Sequence, residues 1–311
     1  MKPAAAPLAD GTCGPGPAAA VSTPEAPCPT ANAGLDGRGV LLRGLAGAAA
    51  MFFVQPPADL WALAWLAPLP WLAVVRAGRI TAAHPWRTLW FAGLLHWLAT
   101  IHWLRLPHPA TAIGWVALSA YLACYVPLFV AVARRLVHGW GWPLAAAAAV
   151  AWMACEQLRG WLLGGFTFGG LGHTQWRWTT LIQLADCLGA VGVGGVVMAV
   201  SAGLSTAGAE IVRGRLPDPP RRRLRPALAG LVTAAAVLGV ALGDGRWRAA
   251  EAPRPTGAGL DVLLVQGSID TELKHDPAAA GDVVRHYDGL TAAALDESGD
   301  PPALIAWPET M

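Results

Sequence analysis

Residues 181 to 207 read LIQLADCLGAVGVGGVVMAVSAGLSTA, and after Asp186 no Asp, Glu, Lys or Arg appears until Glu210. A helix needs about 20 consecutive apolar residues to cross the hydrocarbon of a bilayer. This stretch supplies them. Many of its residues are Gly, Ala or Ser, side chains small enough to let membrane helices approach closely. The run Gly192-Val193-Gly194-Gly195 is not a dinucleotide loop, because no strand precedes it and no acidic residue follows at the required distance.

The rest of the chain agrees with a membrane protein. Of its 311 residues, 55% are hydrophobic and 14% charged, where a soluble domain carries about 25% charged residues. The mean hydropathy is +0.44. A formal net charge of +2 is too small for a nucleic-acid-binding surface. Sixteen Trp residues suit a protein with two membrane interfaces to anchor. Charges cluster between charge-free windows, and these predict seven crossings, at about 39–57, 59–75, 87–104, 111–133, 143–163, 181–207 and 225–243. The first two are short and joined at Gln55-Pro56-Pro57-Ala58-Asp59, as in a tight hairpin.

Basic residues orient the bundle. With the N-terminus inside, 14 of the 22 Lys and Arg fall on inside segments, six of them between Arg213 and Arg225. Arg105, Arg159 and Arg177 fall outside or near the outer end of the fifth crossing. The positive-inside rule then puts the N-terminus in the cytoplasm and everything after the seventh crossing on the far side. Residues 1–37 are Pro, Ala and Gly with few large apolar side chains, too little to offset ordering entropy. They are expected to form a disordered tail without a cleavable signal peptide, the first crossing serving as export signal. Cys28 has no apolar run before it, so no lipoprotein signal is read there. Cys124, Cys155 and Cys187 lie in apolar stretches as small hydrophobes, and no disulfide or zinc spacing is present.

After the predicted bundle, 38–243, the pattern changes. A linker at 244–259 leads to Leu260-Asp261-Val262-Leu263-Leu264-Val265, which reads as a buried strand ending at Gln266-Gly267. Asp276 to Leu295 reads as a helix, with Asp276 as N-cap, Pro277 in the first turn, and Val283, Val284, Tyr287 and Leu290 near one face. Ala303 to Trp307 reads as a second strand running into Pro308-Glu309-Thr310. A carboxylate just past a strand end is where α/β sheets present reactive groups, although many such residues are simply solvated.

Together, the seven-crossing region, VLLVQGSIDTELKHDP at 262–277 and LIAWPET at 304–310 resemble the apolipoprotein N-acyltransferases. EQLRGWLLGGF at 156–166, GHTQ at 172–175 and LIQLADCLGAVGVGG at 181–195 resemble that family's segments before and within its sixth helix. The resemblance implies a bacterial inner-membrane enzyme: a transmembrane helical bundle followed by the start, at 260–311, of a periplasmic nitrilase-like domain, an α-β-β-α sandwich. It implies acyl transfer from a phospholipid to the amine of a diacylglyceryl-cysteine lipoprotein through a Glu–Lys–Cys triad. No cofactor, metal or nucleic acid enters. Glu309 matches the catalytic Glu, expected to act as general base.

Two positions depart from the family's pattern. No Lys follows Lys274 and no Cys follows Cys187, so the chain reads as an N-terminal fragment, truncated and inactive by itself. His275 stands where the family usually shows Trp, which alters a contact at the lipid-binding mouth or leaves a solvated loop residue. Glu156 and Arg159, three apart on the fifth crossing, share a helical face. They read either as an ion pair locking the helix or as a functional pair at membrane depth. His96 and His102 are not at ligand spacing. A membrane-tethered nitrilase-type amidase and a transporter-like bundle remain the competing readings, the latter weakened by the lack of an internal repeat.

The 14 basic residues on inside segments against three outside or near the outer end make the topology testable. A compartment-sensitive reporter fused after Gly259 is expected to be active only on the periplasmic side; cytoplasmic activity would overturn the odd number of crossings.

Overall fold

A computed structural model describes residues 34–213, 221–251, 257, 259–270, 273–274 and 276–308. The tail up to Ala33, His275 and Glu309 lie outside the described residues.

Each of the seven predicted windows contains helix. Helix α1, Gly37–Phe53, is capped by Asp36, whose Oδ1 accepts from Gly39 N–H at 2.8 Å. The second window does not form one rod: a 3₁₀ turn at Trp61–Trp65 precedes α2, Leu69–Arg76. Pro68 and Pro70 explain the break, since proline lacks an amide hydrogen and sits well only in a first helical turn. Helix α3 spans Pro85–Thr100, and α4 (Thr111–Leu122) runs almost directly into α5 (Tyr125–Arg134). Helix α6 is Leu144–Trp161, α7 a single turn at Thr179–Ile182, α8 Ala185–Arg213 and α9 Arg221–Glu251. Among the described residues, three stretches are long and apolar enough to cross a membrane: Thr111–Gly139, Ala185–Glu210 and Arg225–Glu251.

The main core lies between α1, α2, α3, α5, α6 and α8, where Trp71, Leu72, Leu89, Phe129 and Met198 are fully buried. Helix α8 is interrupted at Gly189, whose φ of 64° and ψ of −178° belong to glycine alone. Further along, it meets α9 through backbone: a Cβ added at Gly203 would stand 2.5 Å from Gly230 O, and one at Gly230 2.6 Å from Gly203 O. The outer face of α9 carries exposed Leu228, Val232 and Val240, as a lipid-facing helix does. The expected linker begins too early, because α9 continues through Asp244 to Glu251. Arg248 explains this: it binds Asp244 Oδ2 one turn back at 2.9 Å and Asp186 Oδ2 on α8 at 2.6 Å.

Strand β1 (Val262–Leu264) pairs in parallel with β2 (Leu304–Ala306), and α10 (Ala280–Ser298) makes the crossover. Val265, Val283 and Tyr287 form its small core. Helix α10 starts later than the sequence suggests. Asp276 Oδ1 accepts from Ala278 N–H at 2.9 Å, closing a turn at 277–279 instead of capping the helix. Val284 and Leu290 are exposed beside the buried Val283 and Tyr287. The strands are not buried throughout either, because Leu264, Leu304 and Ile305 face outward, one helix covering only one face of a two-stranded sheet.

Gly203→Val should lower thermal stability in detergent by about 1–3 kcal/mol, the usual cost of overpacking. Gly208→Val, on the same helix with open space beside its Cα, should change it little, and equal losses would show that close contact of α8 with α9 is not what the glycine supplies.

Candidate functional site

Trp307 directly follows β2 and is held from two sides. Its ring centroid lies 5.4 Å from that of Tyr287, and its Nε1 donates to Thr291 Oγ1 at 3.1 Å. Below it, Val265 N–H donates to Ala306 O at 3.0 Å. Gly267, at the end of the first strand region, lies so near Tyr287 that a Cβ there would meet the ring at 2.6 Å. The strand end that leads to Glu309 is thus fixed by buried aromatic packing, and the described chain stops at Pro308, one residue before it.

A second cluster lies within the helical domain. Glu156 and Arg159 do share one face of α6, but their closest charged atoms are 3.9 Å apart, beyond hydrogen-bond length. Each also binds the following loop. Glu156 Oε1 accepts from Leu171 N–H at 2.8 Å, and Arg159 Nη1 donates to Phe168 O at 3.2 Å. The guanidinium also lies over Trp97, 5.1 Å from the ring centroid. The two side chains form the ion pair that one of the two sequence readings has, and they hold the following loop as well.

That loop needs holding. Leu163, Gly164, Gly165 and Gly169 all have positive φ, of 56°, 88°, 82° and 71°, and a side chain at Gly165 would run into Gly160 O. The motifs quoted around 156–166, 172–175 and 181–195 converge here. A Cβ at Gly194 would lie 3.0 Å from Glu156 Oε2, and one at Gly172 would strike Ala190 O on α8. His173 lies on this loop, where partial burial and the nearby Arg159 charge hold its imidazole below the ordinary range.

Other polar groups of this region were not singled out by spacing. Buried Gln175 donates to Trp61 O at 3.1 Å, and Gln55 to Gly169 O at 3.3 Å. The Tyr121 and Tyr125 hydroxyls lie 2.6 Å apart. His96 is buried with Nδ1 3.2 Å from Ala48 O, whereas His102 is exposed and bonds Ala99 O at 2.9 Å; the two histidines belong to different surroundings. Residues 172–175 do carry Gln175 in a quoted motif, but isolated Gln and Tyr residues give no periodic signal. No group of three His, Cys, Asp or Glu placed for a metal occurs among the described residues.

Residues 47–203 match the family described as the Apolipoprotein N-acyltransferase N-terminal domain. The chain is 28% identical over 289 residues to a protein named Apolipoprotein N-acyltransferase from Rhodopirellula baltica, covering 87% of this chain and 48% of that protein. It is 30% identical over 273 residues to a protein of the same name from Rhizobium meliloti, covering 85% and 48%. With one from Azotobacter vinelandii it shares 32% over 285 residues, covering 86% and 50%. The chain spans about half the length of the curated relatives it matches.

Arg159→Met leaves a buried carboxylate without its cation and Phe168 O without a donor, so a loss of about 3–5 kcal/mol is expected. Glu156→Gln keeps an acceptor for Leu171 N–H and should cost less. Thermal unfolding in detergent and limited proteolysis within 162–170 check both; equal losses, or a loop that stays resistant in Arg159→Met, would show that the loop does not depend on these bonds.

Proposed function

Because the chain belongs to the apolipoprotein N-acyltransferase family, we propose that it serves lipoprotein N-acylation: transfer of a fatty acyl chain from a phospholipid to the N-terminal amine of a diacylglyceryl-cysteine lipoprotein. The observation that carries this reading is the family match over 47–203, joined to a strand–helix–strand unit whose second strand runs into Trp307-Pro308-Glu309. The bundle crosses the bacterial inner membrane seven times, N-terminus in the cytoplasm, and the unit from residue 260 onward begins a nitrilase-like domain on the periplasmic side. The exposed Leu264, Leu304 and Ile305 support a sheet that other elements cover.

Glu309 acts as general base. Its carboxylate takes the proton of a cysteine thiol as sulfur attacks the phospholipid ester carbonyl; the thioester forms, and the lysophospholipid leaves as the alcohol, carrying that proton. In the second half the lipoprotein amine attacks the thioester, Glu309 accepts its proton, and the amide forms as the thiol is released and reprotonated. A base of this kind contributes about 10²- to 10⁴-fold. The nucleophile and the Lys of the triad are those the family resemblance implies, and Cys124, Cys155 and Cys187 lie in the helical region away from Glu309 in sequence.

In a polypeptide spanning the full length of the relatives, Glu309→Gln keeps size and hydrogen bonding but removes the base. It is expected to abolish conversion of diacyl to triacyl lipoprotein, read by mass spectrometry, at unchanged protein level. Acylation above about a tenth of the parent rate would remove Glu309 from the mechanism.

A further inference from the structure

The Glu156–Arg159 pair lies between two cavities. One, of about 40 Å³, is lined by Met51, His96, Trp97, Tyr125, Trp152 and Cys155 together with the pair. The other, of about 130 Å³, lies on the side of Thr167, Gly170, His173 and Ala190. Both exceed the 10–15 Å³ that about one water molecule requires. The first is too small for a lipid headgroup.

The polar groups facing the first cavity are only partly satisfied by protein. Arg159 has five N–H groups on a side chain 6% exposed, and among the described residues they make one hydrogen bond, to Phe168 O, and the 3.9 Å contact to Glu156. Trp152 Nε1, one turn before Glu156 on the same helix, is buried and has the Glu156 carboxylate as its nearest partner, outside normal hydrogen-bond geometry. His96 points the other way chemically. Its Nδ1 lies against Ala48 O, which requires a proton on that nitrogen and leaves Nε2 of the neutral ring as an acceptor. A leftover set of donors with an acceptor opposite suits neither an anion nor a cation. It suits a molecule that both donates and accepts. A polar contact of 3.9 Å is also one that water commonly bridges.

We propose that the first cavity holds bound water, which completes the hydrogen bonding of Arg159 and His96 and hydrates the ion pair inside the helical domain. This inference is independent of the acyl-transfer reading.

Radiolytic hydroxyl-radical labelling with mass spectrometry tests it on the unaltered protein in nanodiscs, because radiation generates radicals from bound water in place. Met51 is 2% exposed and lines the first cavity with Cys155, whereas Met198 is 0% exposed and lines neither. Met51 is expected to be oxidised at least about tenfold faster than Met198, two thioethers of equal intrinsic reactivity. That difference should persist with a bulky radical scavenger that protects exposed Cys187. Equal rates for Met51 and Met198, or loss of Met51 labelling together with that of Cys187, would overturn the proposal.

Discussion

A backbone carbonyl packed against apolar side chains or lipid has no water to accept from, so a helix that breaks there must find a donor in the protein. This chain finds them in side chains reaching across from other elements. Arg134 on α5 reaches the carbonyls of Val74, Val75, Ala77 and Gly78 at the end of α2, and His138 adds a contact to Val75 O at 2.9 Å. Indole N–H groups do the same at two helix ends, Trp90 to Ala120 O and Trp115 to Leu98 O, while Trp71 binds Gly44 O within α1. Ser201 donates to Trp65 O in the broken second window at 2.8 Å. The short α2 survives because its open end is closed by an arginine from another helix.

This changes what the basic residues and tryptophans signify. Arg134 is among the basic residues that the positive-inside count uses, yet its guanidinium is spent on carbonyls at a helix C-terminus, where a cation also meets the negative end of the dipole. The two roles agree, since one residue marks an end of the bundle and ties that end together. Trp71 is fully buried and belongs to the core, whereas Trp140, Trp161 and Trp176 are exposed and fit the interfacial role. Counting tryptophans indicated a membrane protein, but only tertiary contacts separate these uses.

The sequence makes plain whatever depends on composition along one helix. Charge-free windows locate helices at all seven positions, and the strand, helix and strand from 260 onward are readable as one α/β unit, though their parallel pairing is not. Boundaries set by contacts from elsewhere were not readable. Helix α9 passes Gly243 because Arg248 finds Asp186 on α8, and nothing near residue 244 announces that partner. Asp276 has the sequence of a cap but closes a turn, since Asp serves both uses by the same short-range bond. At the polar site, spacing placed Glu156 and Arg159 on one face correctly. It could not reveal that they also bind a loop, because those bonds depend on where residues 162–171 fold back.

That difference bears on why a charge pair sits in an apolar bundle at all. A buried ion pair is often replaceable by hydrophobic residues at no cost, the attraction only repaying desolvation, and a pair held at 3.9 Å attracts more weakly than one in hydrogen-bond contact. Stability of the pair itself is a poor reason to keep it. The loop gives a better one. Residues 163–169 hold four positive-φ positions, which side chains other than glycine resist, so the segment has little regular hydrogen bonding of its own. Leu171 N–H and Phe168 O need partners that reach out from α6. A carboxylate and a guanidinium three residues apart supply an acceptor and a donor from one helical turn. Their opposite charges let both be buried together, and the glycines at 172 and 194 leave room for the loop to lie against α8.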